Sequence, residues 1–382
     1  MQLRLVILLT LGHFSADINQ GALPALLPFL IAEHQLSYTA AAGIVFASTA
    51  ASSFVQPFFG YHADRVSSPW TMPGGLFLAG LGIALLGLAP NYPLLLLAAV
   101  VSGIGVAAYH PEGARRVAHV SGGDRATAMS YFGIGGSLGF AIGPLLATAA
   151  LLAWGLPGTV VFLGAVLIMA GVILAEAPAL AASATAVGPA ARGAQAGEVR
   201  DAWAAFGRLT LAVIGRSILF YGLNTFIPLY WIHVLGQTKA GGSLALTLLF
   251  SAGILGNLLG GRLADRFGPR QVAAAGFGLL IPLLPAFLWV DRPWAALALL
   301  APIGFMISLT YSPLVVLGQQ YLPNRIGLSS GVTLGLAVAM GGIASPLLGW
   351  VADLHGIRLA LACTSVLPIA SMVLALTLPE PR

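Results

Sequence analysis

The chain has 382 residues, of which 58% are hydrophobic and only 8% are charged. A soluble globular protein carries about 25% charged residues, so this composition excludes a water-soluble surface. The formal net charge of +5 comes from cations in short segments between long apolar runs, which excludes a nucleic-acid-binding surface and indicates a membrane protein.

Apolar runs recur along the chain, and each reaches the roughly 20 residues that a helix needs to cross a hydrocarbon core. At about 30 residues per span and loop, the chain has room for about twelve spans. We predict an all-α membrane protein with helices near 5–32, 38–61, 71–89, 92–114, 126–152, 157–175, 208–234, 242–262, 271–290, 294–320, 327–352 and 357–378.

The cations are distributed unequally over the two sides of this topology. One side has only Lys239, Arg292 and Arg358. Because cytoplasmic loops carry the excess of Lys and Arg, we predict that the other side and both termini are cytoplasmic. The cations on that side are Arg4, Arg65, Arg115, Arg116, Arg125, Arg192, Arg200, Arg208, Arg262, Arg266, Arg270, Arg325 and Arg382.

Three landmarks repeat at one period. GYHADR at 60–65 recurs as GRLADR at 261–266, with the two aspartates 201 positions apart. Pro111 and Pro313, like Pro144 and Pro346, are 202 positions apart. We predict two pseudo-symmetric six-helix bundles, 1–176 and 207–382, joined by a cytoplasmic linker at 177–206 that is rich in Ala, Gly and Pro. Such parallel repeats are typical of transporters that bind substrate near mid-membrane between the halves.

The fifth predicted helix has glycines four residues apart at Gly135, Gly139 and Gly143, followed by Pro144. Small residues at this spacing let two helices approach closely in a membrane. The seam they form is a site of helix packing, or in addition a pivot for movement of the halves.

An acid and a base stand at the cytoplasmic end of a helix in both repeats. They are either parts of a cytoplasmic gate, where the acids cap neighbouring helices, or a solvated turn whose arginines set the topology. The gate residues would be Gly60, Asp64 and Arg65 in the first repeat, and Gly261, Asp265, Arg266, Gly268 and Arg270 in the second.

Asp17 lies about 20 Å along the first helix, near mid-bilayer. A charge there costs about 2.5 to 3.5 kcal/mol on insertion scales, so it should face the bundle interior. His13 is four residues earlier and shares its helix face with Asp17 and Gln20. The His13 and Asp17 pair is a candidate proton-coupling site, and the alternative is a structural hydrogen bond.

Arg216 is the one cation deep in a predicted span, and its planar fork suits carboxylate, phosphonate or phosphate groups. It is a candidate for binding an anionic substrate, or else it forms a salt bridge with Asp17 or extends towards the cytoplasm. Further candidates for the substrate-binding cavity are Gln20, Tyr131, Tyr221, Asn224, Asn257 and Tyr311.

The stretch GVAAYHPEGARRVAHV at 105–120 places His110 and Glu112 near the cytoplasmic end of the fourth helix. Arg115 and Arg116 follow Glu112 by three and four residues, the spacing at which helical side chains pair. The cluster is therefore a gate latch in which arginine holds Glu112 ionised, or a proton relay between His110 and Glu112.

These motifs resemble those of the major facilitator superfamily. GRLADRFGPR matches the loop signature of that family, and Gly139, Gly143 and Pro144 are similar to the fifth-helix signature of its antiporters. LGHFSADINQGALPALLPFL, QPFFGYHADR and YHPEGARRVAHVSGG resemble the fosmidomycin resistance branch of bacterial efflux proteins. The resemblance implies a multi-pass protein of the bacterial inner membrane.

We therefore predict a monomeric secondary transporter that exports a small drug-like or anionic compound in exchange for protons. The alternative is uptake or exchange of a small organic anion. An embedded enzyme is disfavoured because no HExxH or serine nucleophile motif occurs, and no ATP-binding P-loop is present. The single cysteine, Cys363, excludes an intramolecular disulfide, and we expect no cofactor and no metal. The partners expected are substrate, protons and membrane lipid.

Overall fold

The computed structural model describes residues 1–65, 68–122, 125–185, 201–325, 328–329 and 331–380. Within these ranges the backbone alone is described for 62–65, 125–126, 183–185, 331, 334 and 336–338.

The described part of the chain before residue 186 contains seven helices. They are α1 (Leu3–His34), α2 (Tyr38–Arg65), α3 (Thr71–Leu86), α4 (Tyr92–Val120), α5 (Arg125–Trp154), α6 (Val160–Ala175) and α7 (Ala177–Thr185). A 3-10 turn, Leu156–Thr159, leads into α6.

In the described ranges after residue 200, eight helices have described bounds. They are α8 (Trp203–His233), α9 (Lys239–Phe267), α10 (Pro269–Trp289), α11 (Pro293–Leu309), α12 (Tyr311–Tyr321), α13 (Ala337–His355), α14 (Ile357–Thr364) and α15 (Leu367–Leu376). A π-helical stretch, Gly331–Leu336, runs directly into α13.

In the described ranges, nine helical stretches are long and apolar enough to cross a membrane. Three of them join two consecutive helical elements: 156–175, 293–321 and 357–376. The remaining helices α1, α3 and α13 complete the twelve crossings that the sequence predicts.

The chain forms two compact units. The first comprises Met1–His34 and the described residues from Ala47 to Thr185, and the second comprises Gln35–Phe46 and the described residues from Asp201 to Glu380. Corresponding helices pair in each unit: α1 lies along α5 and α3 contacts α6 in the first, while α8 lies along α13 and α10 contacts α15 in the second.

The segment 35–46, which the sequence assigns to the first bundle, belongs to the second unit because Asp353 of α13 caps the start of α2. Its Oδ1 accepts a hydrogen bond from the backbone N–H of Tyr38 at 2.7 Å. Its Oδ2 accepts from the backbone N–H and the hydroxyl of Thr39, at 2.9 and 2.5 Å. The negative charge also complements the positive end of the helix dipole.

The predicted linker at 177–206 is partly helical. Its first part forms α7, because its alanines favour helix and Leu180 is buried in the core of the first unit. Its last part begins α8 at Trp203, and residues 186–200 lie outside the described ranges.

Close backbone contact between α1 and α5 depends on the predicted glycine seam. A Cβ at Gly139 would lie 2.7 Å from the backbone nitrogen of Ile18 and the carbonyl oxygen of Phe14. A Cβ at Gly135 or Gly143 would meet the α1 backbone at 2.2 and 2.6 Å. Both contacts are too short for a carbon atom, so glycine is required along this seam.

We expect Gly139→Ala to destabilise the protein by about 1–3 kcal/mol, because the methyl group would push the two backbones apart. Gly133 is the matched control on the same helix, since a Cβ there would meet no heavy atom within 4 Å. Thermal unfolding of the purified variants would show a lower midpoint for Gly139→Ala alone. Equal midpoints would contradict the steric role of the seam.

Candidate functional site

A triad of one buried carboxylate and two half-buried imidazoles lies where α1, α4 and α5 of the first unit meet. Asp17 is 5% exposed, and each of its carboxylate oxygens faces one imidazole. Oδ1 lies 2.9 Å from Nε2 of His110, and Oδ2 lies 3.2 Å from Nε2 of His13. The structure thus brings together three of the four predicted proton-coupling residues.

Helix α5 positions the His13 ring. The ring stacks on Phe132 with centroids 4.1 Å apart, and its Nδ1 lies 2.7 Å from the Phe132 carbonyl oxygen. Gly136, one turn further along, leaves room for the pair, because a Cβ there would lie 2.5 Å from Asp17 Oδ2. The ring is therefore fixed both by stacking and by a hydrogen bond.

Helix α4 contacts α1 beside the triad through Tyr109. Tyr109 is fully buried, and its hydroxyl donates a hydrogen bond to the carbonyl oxygen of Leu9 at 2.8 Å. A Cβ at Gly12 would lie 2.1 Å from that hydroxyl oxygen, so glycine there admits the tyrosine. Tyr109 thereby ties α4 to α1 beside the triad.

The triad has ligand types that could hold a metal ion, since one donor atom from each residue lies within 4.8 Å of the others. His13 also has the second hydrogen bond to a carbonyl that metal-binding histidines usually make. Each carboxylate oxygen of Asp17 already faces one imidazole nitrogen, however, so the side chains contact one another directly in this arrangement.

Arg216 on α8 is a buried cation of the second unit and is 9% exposed. Its Nε donates to the carbonyl oxygen of Ile307 at 2.9 Å and to the hydroxyl of Thr310 at 3.1 Å, and its guanidinium lies 4.9 Å from the centre of the Tyr311 ring. No carboxylate of the described second unit pairs with it. Its two terminal amino groups make no hydrogen bond to any described residue, which leaves them available to an anion.

A small cavity of about 10 Å³ adjoins the guanidinium. That volume suffices for about one water molecule. The residues that line it are Val213, Arg216, Ser217, Tyr311, Leu314, Val315 and Thr333.

The other predicted substrate-binding residues differ in burial and in hydrogen bonding. Asn224 is buried two turns after Arg216, and its Oδ1 has no hydrogen-bond partner among the described residues. Asn257 accepts a hydrogen bond from Ser312 at 2.9 Å. Gln20 and Tyr221 are half-buried, and Tyr131 is exposed. Asn224 is therefore the strongest of these candidates beside Arg216 and Tyr311.

Glu112 lies in an ion cluster with both predicted arginines. Arg115 donates to its two oxygens at 2.9 and 2.7 Å, and Arg116 donates to Oε1 at 2.6 Å. Arg116 also donates to the Leu180 carbonyl oxygen, which joins α4 to α7. No hydrogen bond joins Glu112 to His110 in the described chain. The geometry thus favours arginine-held Glu112 over a direct relay.

The predicted gate residues make few contacts in the described chain. The side chains of Asp64 and Arg65 lie outside the described set, and a Cβ at Gly60 would lie 3.8 Å from Pro111. In the second repeat Asp265 is exposed and caps no described helix.

The bases of the second repeat have separate contacts. Arg266 lies over the Phe267 ring at 5.1 Å. Arg270 donates to the Leu376 carbonyl oxygen at 2.5 Å, at the end of α15. Gly268 has φ 89°, a conformation that favours glycine, and Gly261 has no close neighbour. The gate therefore stays a prediction.

Sequence reasoning did not identify Phe132, Gly136, Tyr109, Thr310 or Asp353. Their roles come from contacts between helices far apart in sequence, which no local pattern encodes. The glycine pair at 135–136 was the one available signal, because two adjacent glycines open two faces of one helix.

A sequence model of the Major Facilitator Superfamily matches residues 9–343. The chain belongs to the major facilitator superfamily. Over 98% of its length it is 29% identical to the fosmidomycin resistance protein of Escherichia coli (strain K12), of which it covers 92%. It is 31% identical to the uncharacterized MFS-type transporter YfnC of Bacillus subtilis (strain 168), again over 98% of the chain and over 93% of that protein.

Solved superfamily structures share the fold. A bacterial homolog of the human lysosomal transporter Spinster, in an inward-facing and occupied conformation, superimposes with a TM-score of 0.77 at 17% identity, covering 98% of this chain and 96% of that one. The same homolog in an unoccupied conformation gives 0.77 at 16% identity, covering 99% and 97%. The predicted fold class is thereby confirmed. Because superfamily members are transporters, the prediction that the chain is not an enzyme is confirmed as well.

Proposed function

We propose that this superfamily transporter is a proton-coupled exporter of a small drug-like or anionic compound that works by alternating access. The observation that carries the proposal is the triad of His13, Asp17 and His110, with Asp17 buried between the two imidazoles. Ionisable residues inside a membrane are costly and mark ion or proton pathways by default. Three of them on two helices provide a proton acceptor with its hydrogen-bond partners.

The substrate that we propose is a phosphonate or carboxylate, with fosmidomycin as the first candidate. Arg216 supports this choice, because its Nε is held by Ile307 and Thr310 while its terminal amino groups are available. The name of the Escherichia coli relative supports the choice independently. We further propose that the protein is a monomer of the bacterial inner membrane. The distribution of its cations supports a cytoplasmic location for both termini.

The test is transport of labelled fosmidomycin in proteoliposomes that hold an imposed pH gradient. We expect the compound to accumulate in the acidic compartment and protons to move the other way. Movement that only follows the gradient of the anion would instead assign uptake or exchange. No movement of fosmidomycin, with movement of another tested phosphonate or carboxylate, would change the substrate alone.

We expect Arg216→Ala to weaken anion binding by about 10- to 100-fold, because a hydrogen bond to a charged group contributes about 1.5–3 kcal/mol. Arg216→Lys keeps the charge without the fork and should recover part of the loss. Arg292→Ala is the control, since that arginine is exposed at the start of α11.

Thermal stabilisation of each purified variant by phosphonates, carboxylates and lipophilic cations would measure this effect. The unfolding midpoint of each variant without ligand measures the stability lost with the contacts to Ile307 and Thr310. The shift of that midpoint on adding ligand measures binding. Stabilisation by lipophilic cations alone, unaffected at Arg216, would contradict an anion site there.

A further inference from the structure

The contact between His13 and Asp17 requires a shared proton. Nδ1 of His13 lies 2.7 Å from the Phe132 carbonyl oxygen, which can only accept, so Nδ1 carries a hydrogen. A neutral imidazole has one N–H, so Nε2 would then present a lone pair. That lone pair would face Oδ2 of Asp17, another acceptor, at 3.2 Å. The contact is attractive only with a proton between these two atoms.

His110 does not supply this proton. Its Nε2 lies 2.9 Å from Oδ1, the other oxygen of Asp17, and needs its own N–H to donate there. The exchangeable proton of the triad is therefore located between Nε2 of His13 and Oδ2 of Asp17.

We propose that His13, as an imidazolium, carries the proton that the transporter exchanges, and that the Phe132 carbonyl positions it by holding Nδ1–H. This inference rests on the proposed function, and it assigns the proton to the histidine rather than to the carboxylate. Deprotonation leaves two acceptors opposed at 3.2 Å, so the contact must open when the proton leaves. Opening it separates Asp17 from His13, while the contact between His13 Nδ1 and the Phe132 carbonyl oxygen on α5 is kept.

Few other titratable groups lie near His13 in the described part of the chain. The helices packed against α1 are α3, α4, α5 and α6. Neither α3 nor α6 contains a titratable side chain, and the described side chains of α5 include one, the exposed Tyr131.

On α4, the groups that face His13 are Tyr109 and His110. The Tyr109 hydroxyl donates its hydrogen to Leu9, so it does not protonate the triad. Glu112 is held by two arginines further along α4. The carboxylate that faces His13 is Asp17 alone among the described residues.

The first experiment is nitrogen NMR of the protein in lipid, labelled with ¹⁵N-histidine, with His13→Gln used to assign the His13 signals. Both ring nitrogens of His13 should be protonated at acidic pH, and Nε2 should lose its proton as pH rises. A neutral His13 with a protonated Asp17 carboxyl, seen by ¹³C labelling, would overturn the proposal. This readout does not depend on transport.

The second experiment is transport by His13→Gln in proteoliposomes. We expect proton-driven accumulation to fall at least tenfold while substrate exchange persists and loses its pH dependence. His110→Gln should retain pH dependence, and His355→Gln, at an exposed site, is the control. Full proton-driven accumulation by His13→Gln would overturn the proposal. If the wild type itself shows none, the proposed function fails and the NMR result alone decides the position of the proton.

A metal ion is the other cation that could lie at this contact. Zn²⁺ added to chelator-treated protein tests it by thermal stabilisation. Micromolar Zn²⁺ that stabilises the wild type but not His13→Gln would overturn the assignment to a proton. Absence of such stabilisation supports it.

Discussion

Glu112→Ala is expected to lower the free energy of unfolding by about 3–5 kcal/mol, because removing one partner of a buried ion pair leaves an uncompensated charge. Glu112 is 1% exposed and Arg116 is 3% exposed. In Glu112→Ala, Arg116 would keep its bond to the Leu180 carbonyl oxygen but lose its anion. Chemical unfolding of the purified variant in detergent measures the loss.

Two further variants make this result specific. Glu33→Ala removes an exposed acid at the end of α1 and should change stability little. Adding Arg116→Met to Glu112→Ala should recover part of the loss, since it removes the buried charge that Glu112 no longer neutralises. A change below about 1 kcal/mol in Glu112→Ala would contradict a buried ion cluster and fit a solvated pair.

Asp17→Asn is expected to abolish proton-driven accumulation while the fold is preserved. The asparagine carbonyl oxygen can accept from His110, and its amide can donate to a neutral His13, so both contacts of the triad survive without the extra proton. A proton gradient drives transport only if the protein binds protons differently in its two states, so the accumulation ratio should fall to about one.

Accumulation of labelled substrate against an outward gradient measures this ratio, with thermal unfolding as the check on folding. Glu33→Gln on the same helix is the matched control because its side chain is exposed. Wild-type accumulation by Asp17→Asn, together with an unchanged pH profile, would remove Asp17 from the coupling mechanism.

Local spacing predicted the pairs that lie on one helix. His13 and Asp17 are one turn apart, and Arg115 and Arg116 follow Glu112 by three and four residues, so helical geometry alone brings each set together. The glycine seam was predicted in the same way, because residues four positions apart lie on one face of a helix. These predictions need only the 3.6-residue repeat.

Local sequence patterns did not suffice to predict the structure of the linker or the contacts of the gate residues. The Ala-rich composition of 177–206 predicted a flexible linker. Its first part forms α7 instead, because Leu180 packs into the core of the first unit. The segment 261–270 has the charges of a gate, but Arg270 binds the end of α15 and Asp265 is exposed. Which group a surface charge meets depends on neighbours that no local motif specifies.

The sequence by itself determined the membrane environment, the twelve helices and the duplicated half, because hydrophobic length and repeat period are properties of the chain read in order. It also singled out Asp17 and Arg216 as charges too costly to bury without a role. Only the tertiary structure decided that His110 completes the triad and that the Phe132 carbonyl orients His13. It also decided that Arg216 rests on Ile307 and Thr310. These partners lie 90 or more residues away from the group they contact, and only the packing of helices brings such distant side chains within hydrogen-bond distance.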